Sequence, residues 1–242
     1  MRLLTVDKLC KNFGGLKAVN NLDFHIDEGE IVGIIGPNGS GKTTFLNLLT
    51  GFLKPNSGSI NFQKEEIGNL PRYTVCQKGI ARTFQLCKPF MDFTALQNVM
   101  VGRAFGQEPS SNLRNAEKES MEILEQIGLG NKAHILVKDL TVMERKRLEL
   151  ARALATKPSL LLLDELMAGL NAVEADETCK LITRIRDSKV TIVIVEHIVK
   201  AVTCISDRIM VLNMGEKIAE GPPNKIVHDP KVIEVYLGKA HA

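Results

Sequence analysis

Gly36-Pro37-Asn38-Gly39-Ser40-Gly41-Lys42-Thr43-Thr44 follows the apolar run Ile31-Val32-Gly33-Ile34-Ile35 and opens into Phe45-Leu46-Asn47-Leu48-Leu49. This order reads as strand, phosphate loop and helix. Glycines let the backbone turn tightly enough to aim several N–H groups at phosphate oxygens, and the following helix adds the positive end of its dipole. Lys42 reaches the β- and γ-phosphates, and the Thr43 hydroxyl is placed to ligate Mg²⁺. The stretch predicts nucleoside triphosphate binding; the rest of the chain has to say what the energy drives.

With 242 residues, 44% hydrophobic and 5% aromatic, the chain suits one large α/β domain with room for a smaller insert. A net charge of +3 is too mild for a nucleic-acid surface. The five cysteines, Cys10, Cys76, Cys87, Cys179 and Cys204, are scattered and lack CxxC spacing, which predicts a reduced cytoplasmic protein without a zinc site. Met1 to Asp7 lacks the apolar core of a signal peptide, and no window approaches the ~20 apolar residues of a membrane span. Work at a membrane would go through a partner.

On the N-terminal side of the loop, Leu22-Asp23-Phe24-His25-Ile26 alternates as a half-exposed strand does and Asn12 to Gly15 offers a turn, predicting an antiparallel layer over residues 2–35. Ile31 to Ile35, apolar throughout, fits a strand covered on both faces. Downstream, Asn56 to Phe62 predicts a turn and short strand, and Gly79 to Gln85 another strand before Pro89. Residues 91–155 turn helical: Ala116, Ser120, Met121, Ile123, Leu124 and Ile127 share a face, and Thr141-Val142-Met143-Glu144 is a capping box opening a helix that Pro158 stops. Within it, Glu144 with Arg147 and Glu149 with Arg152 are spaced to pair on a solvated face.

The apolar run Leu160 to Leu163 ends in Asp164 and Glu165. Ligands of parallel α/β sheets gather at the carboxyl ends of strands, which puts this pair near the phosphate loop. Asp164 then holds the Mg²⁺ shell and Glu165 orients and polarises the attacking water. Val190 to Val195, running into Glu196 and His197, repeats the pattern. The tail predicts a hairpin about Met214-Gly215 and a short helix begun by Asp229-Pro230.

The phosphate loop, Gln85 in Arg82-Thr83-Phe84-Gln85, the helix after Leu140, Asp164-Glu165 and Glu196-His197 together resemble the ATP-binding subunit of an ABC transporter over nearly the whole chain. The resemblance implies an α/β P-loop NTPase (RecA-like) core with an antiparallel β-subdomain and an inserted α-helical subdomain. The expected layout is one ABC ATPase domain over 1–242, with the core and β-subdomain from 1–90 and 156–242. The helical subdomain is 91–155, and a C-terminal hairpin and helix occupy 215–242. It further implies that Gly36, Pro37, Asn38, Gly39, Ser40, Gly41, Lys42, Thr43 and Thr44 bind ATP, that Phe13 stacks on adenine and that His197 contacts the γ-phosphate. Gln85 senses Mg²⁺ and the attacking water while linking to the membrane subunit. Catalysis rests on Glu165, His197, Lys42 and Gln85, and Mg²⁺ on Thr43, Gln85 and Asp164. Within the family, Arg82 to Gln85, Lys146 to Leu154 and the tail from Ile205 through Gly238 resemble branched-chain amino acid importers.

Two departures from the family pattern stand out. Its signature Leu-Ser-Gly-Gly-Gln aligns with Leu140-Thr141-Val142-Met143-Glu144, so the helix start that approaches the partner's ATP offers Thr141, Val142, Met143 and Glu144, with Met143 adding bulk and Glu144 repulsion. After Glu165, Leu166 and Asn171 replace the usual Pro and Asp, and Asn171 is left to hydrogen-bond across a dimer. The implied partners are a second ABC ATPase subunit in a homodimer or, favoured, a heterodimer, integral-membrane permeases, and indirectly a substrate-binding protein, at the cytoplasmic face of the cell membrane; no nucleic acid is expected. A soluble ABC-type ATPase, a transporter subunit for another small solute such as urea, and a non-hydrolysing nucleotide switch stay open.

Overall fold

The computed structural model describes residues 1–84, 88–196 and 199–237. In chain order these form strands β1 (Arg2–Phe13), β2 (Leu16–Asp27) and β3 (Ile31–Ile35), helix α1 (Lys42–Leu49), strands β4 (Ser57–Phe62) and β5 (Glu65–Glu66), helix α2 (Arg72–Gln77) and strand β6 (Ile80–Arg82). Helices α3 (Ala95–Ala104), α4 (Leu113–Gln126) and α5 (Val142–Ala155) follow, then β7 (Leu160–Asp164), α6 (Ala172–Asp187), β8 (Thr191–Val195) and α7 (Val199–Ile205). The chain ends in β9 (Arg208–Asn213), β10 (Glu216–Gly221), α8 (Pro223–Ile226) and α9 (Pro230–Leu237). Two compact units divide it, one from Met1–Arg72 with Met167–Ala242, the other Tyr73–Leu166.

In the first unit, β2, β1, β4 and β5 pair antiparallel in that order. β3 runs parallel to both β8 and β9, and β10 closes onto β9 antiparallel. Every residue of β3 and β8 is buried, which is why their sequences are continuously apolar rather than alternating. At Gly33 of β3 helix α7 packs close: a Cβ there would lie 2.3 Å from Val202. Phe24 of β2 packs edge-to-face on Phe45 of α1, centroids 5.4 Å apart, fastening the helix after the phosphate loop to the antiparallel layer. The predicted hairpin is present. Met214 and Gly215 both take left-handed backbone, φ 48° and 82°, as a two-residue turn requires.

In the second unit, β6 and β7 pair parallel with Arg82 opposite Leu162. The three long helices pack together, closely enough at Gly102 that a Cβ would meet the Arg152 carbonyl at 2.5 Å. α4 buries Ala116, Ser120 and Leu124 on the face its sequence predicts, and the chain leaves at Gly128, φ 77°, a left-handed helix exit. Asn98 is fully buried because its amide donates to the carbonyls of Phe90 and Thr94 and its oxygen accepts from Phe90 N–H at 2.9 Å.

The solvated face expected for the charged run of α5 is corrected. Arg145 donates to the carbonyls of Val137 and Lys138, and Lys146 to that of Leu166. Glu149 is buried and accepts from the Phe84 N–H at 2.7 Å, while Glu144 pairs with Lys132. Three of these charged side chains are thus tied to backbone groups of neighbouring segments by charge-assisted hydrogen bonds.

Candidate active site

The loop Gly36–Gly41 joins the C-terminal end of β3 to α1. Gly41 stands at the N-cap of α1 with φ 103°, where a Cβ would lie 2.3 Å from the Ala18 carbonyl oxygen. No other residue type fits there. Among the described residues no side chain caps α1, and no acidic residue occupies its first turn, so the positive end of its dipole suits an anion. Lys42 is buried, yet its ammonium is satisfied: Nζ donates to the carbonyls of Gly36 and Pro37 at 2.8 and 2.9 Å and sits 3.4 Å from Ser40 Oγ. Thr43 is exposed on the same turn. The hairpin braces the loop, since Gly215 N–H donates to Ser40 and Asn20 N–H to Gly215. Phosphate oxygens arriving here would replace two carbonyls around Lys42 with charged acceptors.

The carboxylates belong to the second unit, at the end of β7. Asp164 is buried; its Oδ2 accepts from Arg82 Nη2 at 2.7 Å and its N–H donates to Thr83 Oγ1 at 3.1 Å. Among the described residues its other oxygen, Oδ1, has no hydrogen-bond partner. A buried acceptor left open in this way suits a cation or a cation-bound water, so the residues present fit Mg²⁺. Glu165 follows with left-handed backbone, φ 50°. That conformation costs a non-glycine residue about 1–3 kcal/mol and recurs at functional sites. It ends the strand abruptly and separates the direction of Glu165 from that of Asp164.

Gln85 and His197, both expected in the site, lie outside the described residues. Their neighbours are ordered by contacts the sequence does not advertise. Phe84 N–H is held by Glu149, and Arg82 lies over the Phe84 ring, 5.1 Å from its centroid. Glu196, 1% exposed, accepts from Met167 N–H at 2.6 Å and so pins the chain just beyond Glu165. Asn171 caps α6 with its side-chain oxygen. Its oxygen accepts from Val173 and Glu174 N–H, 3.0 Å each, and Glu174 returns the bond to Asn171 N–H in a capping box. Asn171 and Glu174 carry the spacing that announces such a box, a signal available in the sequence.

At the start of α5 the predicted capping box is formed: Thr141 Oγ1 accepts from Glu144 N–H at 3.3 Å and Glu144 Oε2 from Thr141 N–H at 2.9 Å. The repulsion expected from Glu144 is reduced, because Lys132 binds its other oxygen. That bond, followed by the Thr141 N–H, holds the Glu144 carboxyl below its ordinary range against the opposing effect of burial. A lowered folded value means this contribution is present above the unfolded value of about 4.5 and is lost as pH falls through the folded one. Thr141→Ala should therefore cost about 1 kcal/mol in denaturant unfolding at neutral pH. Glu144→Gln should flatten the acid limb of the stability profile. Val142 at the helix tip is 73% exposed and Phe13 is also exposed, with Lys11 Nζ 5.5 Å from its ring centroid.

The structure thus brings together Gly36 to Lys42 with Gly215 in one unit, and Arg82, Thr83, Asp164 and Glu149 in the other. Residues 19–168 match the ABC transporter family and residues 216–242 the branched-chain amino acid ATP-binding cassette transporter family. The chain is 40% identical to the high-affinity branched-chain amino acid transport ATP-binding protein BraF of Pseudomonas aeruginosa, covering 98% of each. It is 41% identical to LivG of Salmonella typhimurium, again over 98% of each. The solved ADP conformation of MJ1267, an ATP-binding cassette of an ABC transporter, superposes with TM-score 0.90 at 31% identity over 99% of this chain and 100% of that one. A dimeric post-hydrolysis state of the cassette MJ0796 bound to ADP and Pi gives 0.83 at 26% identity, covering 91% and 99%.

Proposed function

The chain belongs to the ABC transporter family of ATP-binding cassettes, ATPases coupled to transport, and from that premise we propose that it powers uptake of branched-chain amino acids through a membrane permease. The observation that carries the cargo is its likeness along 98% of its length to BraF and LivG, which are named for that transport, extended by the match of its tail. No helix among the described residues is long and apolar enough to cross a membrane. The proposal places the chain against permease subunits at the cytoplasmic face, with a substrate-binding protein acting indirectly.

In the proposed reaction the N–H groups of Gly36 to Thr44 and the Lys42 ammonium take the β- and γ-phosphates, and Phe13 offers its exposed face to adenine. Thr43, Asp164 through its open Oδ1, and Gln85 would hold Mg²⁺, which supplies neutralisation of the charge shared by the β- and γ-oxygens. Glu165 orients the attacking water and accepts its proton, and His197 donates to the γ-phosphate as charge develops. Catalysis is then positioning and electrostatics, with little covalent work for the protein.

The start of α5 is the surface proposed to meet the nucleotide of a second ATPase subunit, in a heterodimer. There the box between Thr141 and Glu144 satisfies their own N–H groups, and the proposal gives the phosphate to the N–H groups of Val142 and Met143 at the same helix start. Met143→Gly in the assembled transporter should raise turnover by opening that approach; unchanged turnover would remove Met143 as the obstacle. Cargo is tested by copurifying the complex and measuring its ATPase activity with leucine, isoleucine, valine or urea. Stimulation by the three amino acids is expected. Stimulation by urea alone would overturn the cargo and leave the ATPase standing.

A further inference from the structure

We propose that Arg82 is a positioning residue that holds Asp164 until the nucleotide's Mg²⁺ arrives, competes with that cation for the carboxylate, and carries the exchange to Phe84 and α5. The inference rests on the Mg²⁺ role proposed for Asp164. Arg82 Nη2 lies 2.7 Å from Asp164 Oδ2, with the two side chains 4% and 3% exposed. A buried carboxylate kept without a cation is strongly disfavoured, so Asp164 needs one in every state of the cycle. Arg82 meets that need before nucleotide binds. It does so on one oxygen only, while Oδ1 stays buried without a partner among the described residues.

A carboxylate already neutralised by a guanidinium draws a second cation weakly. Mg²⁺ then gains a foothold on Asp164 chiefly when it comes with the charge of the triphosphate, which makes the site selective for the metal–nucleotide pair over the free ion. The same guanidinium lies over the Phe84 ring, so a change in its hold on Asp164 is felt at Phe84. Thr83 ties the same segment to the Asp164 N–H and to the Leu162 carbonyl, and Phe84 N–H is tied to Glu149 of α5. Residues 82–84 therefore join the occupancy of Asp164 to the helix whose N-terminus is Thr141.

The test uses the full chain with a non-hydrolysable ATP analogue, reading the Mg²⁺ concentration that half-saturates the rise in melting temperature. Arg82→Gln should lower that concentration by between about 5- and 150-fold, the usual span of coupling between two ligands, while Arg82→Lys, which keeps the charge, stays near the wild type. A purely structural Arg82 would lower the melting temperature and leave the Mg²⁺ midpoint where it was, or raise it; either overturns the inference. If Arg82→Gln does not fold, the guanidinium ¹⁵N resonance of Arg82 in the wild-type chain decides: it should shift along the same Mg²⁺ titration, and a resonance that stays fixed overturns the inference. A wild type showing no Mg²⁺ dependence at all would instead overturn the role of Asp164 on which it rests, and the inference with it.

Discussion

Glu165→Gln is expected to leave ATP bound and to slow hydrolysis by about 10²- to 10⁴-fold, the usual contribution of a positioned general base. The amide keeps the size and most of the hydrogen bonding of the carboxylate and loses its basicity, so binding and chemistry separate. Glu165 is suited to this because the left-handed turn at φ 50° divides it from Asp164. Asp164 is buried and committed to Arg82, Thr83 and an open oxygen, whereas Glu165 is only half-buried. The two carboxylates follow one strand and do different work. Phosphate release by the assembled complex, measured beside nucleotide binding, checks the separation. Loss of binding together with hydrolysis would mean that Glu165 acts structurally.

Lys42→Ala should weaken ATP binding by on the order of 10²- to 10⁴-fold, as expected when two charge-assisted hydrogen bonds of about 1.5–3 kcal/mol each are lost. The ammonium also donates to the Gly36 and Pro37 carbonyls, so the substitution removes two bonds that hold the loop and should lower the melting temperature of the free chain. Calorimetric titration with ATP and thermal unfolding of the free chain read the two effects separately. Unchanged affinity would remove Lys42 from the site.

What could be read from the sequence was local. The loop from Gly36 to Thr44 carries its own conformational code in Gly41 and its own charge in Lys42. Ile31 to Ile35 shows by unbroken apolarity that both faces are covered, and Thr141 with Glu144 announces a cap that the structure forms. The hairpin at Met214-Gly215 and the helix after Asp229 were legible for the same reason.

What could not be read depends on register between distant segments. Arg82 meets Asp164 because β6 pairs with β7 at Arg82 opposite Leu162, an alignment of strands some eighty positions apart that neither strand encodes alone. Glu149 looks like one more charge on an amphipathic helix and is instead the buried acceptor for Phe84. The spacing of Glu144 pointed to Arg147, yet Lys132 from a preceding turn binds it. Asn171 stands three residues before Glu174, a spacing that marks the cap its oxygen forms, yet a cap leaves the amide donors of Asn171 outside what the spacing tells. In each case a tertiary partner or a competing local bond decided the role, and propensity or pairing rules along a single helix do not contain it.

In the proposed function, ATP hydrolysis by this chain drives amino acid import. Its most direct test is uptake of labelled leucine into vesicles carrying the assembled complex, with ATP supplied on the side of this chain. Uptake should require ATP, stop when ATP is omitted, and stop equally in complexes carrying Glu165→Gln. Leucine accumulating at the same rate without ATP, or with Glu165→Gln in place, would contradict the account.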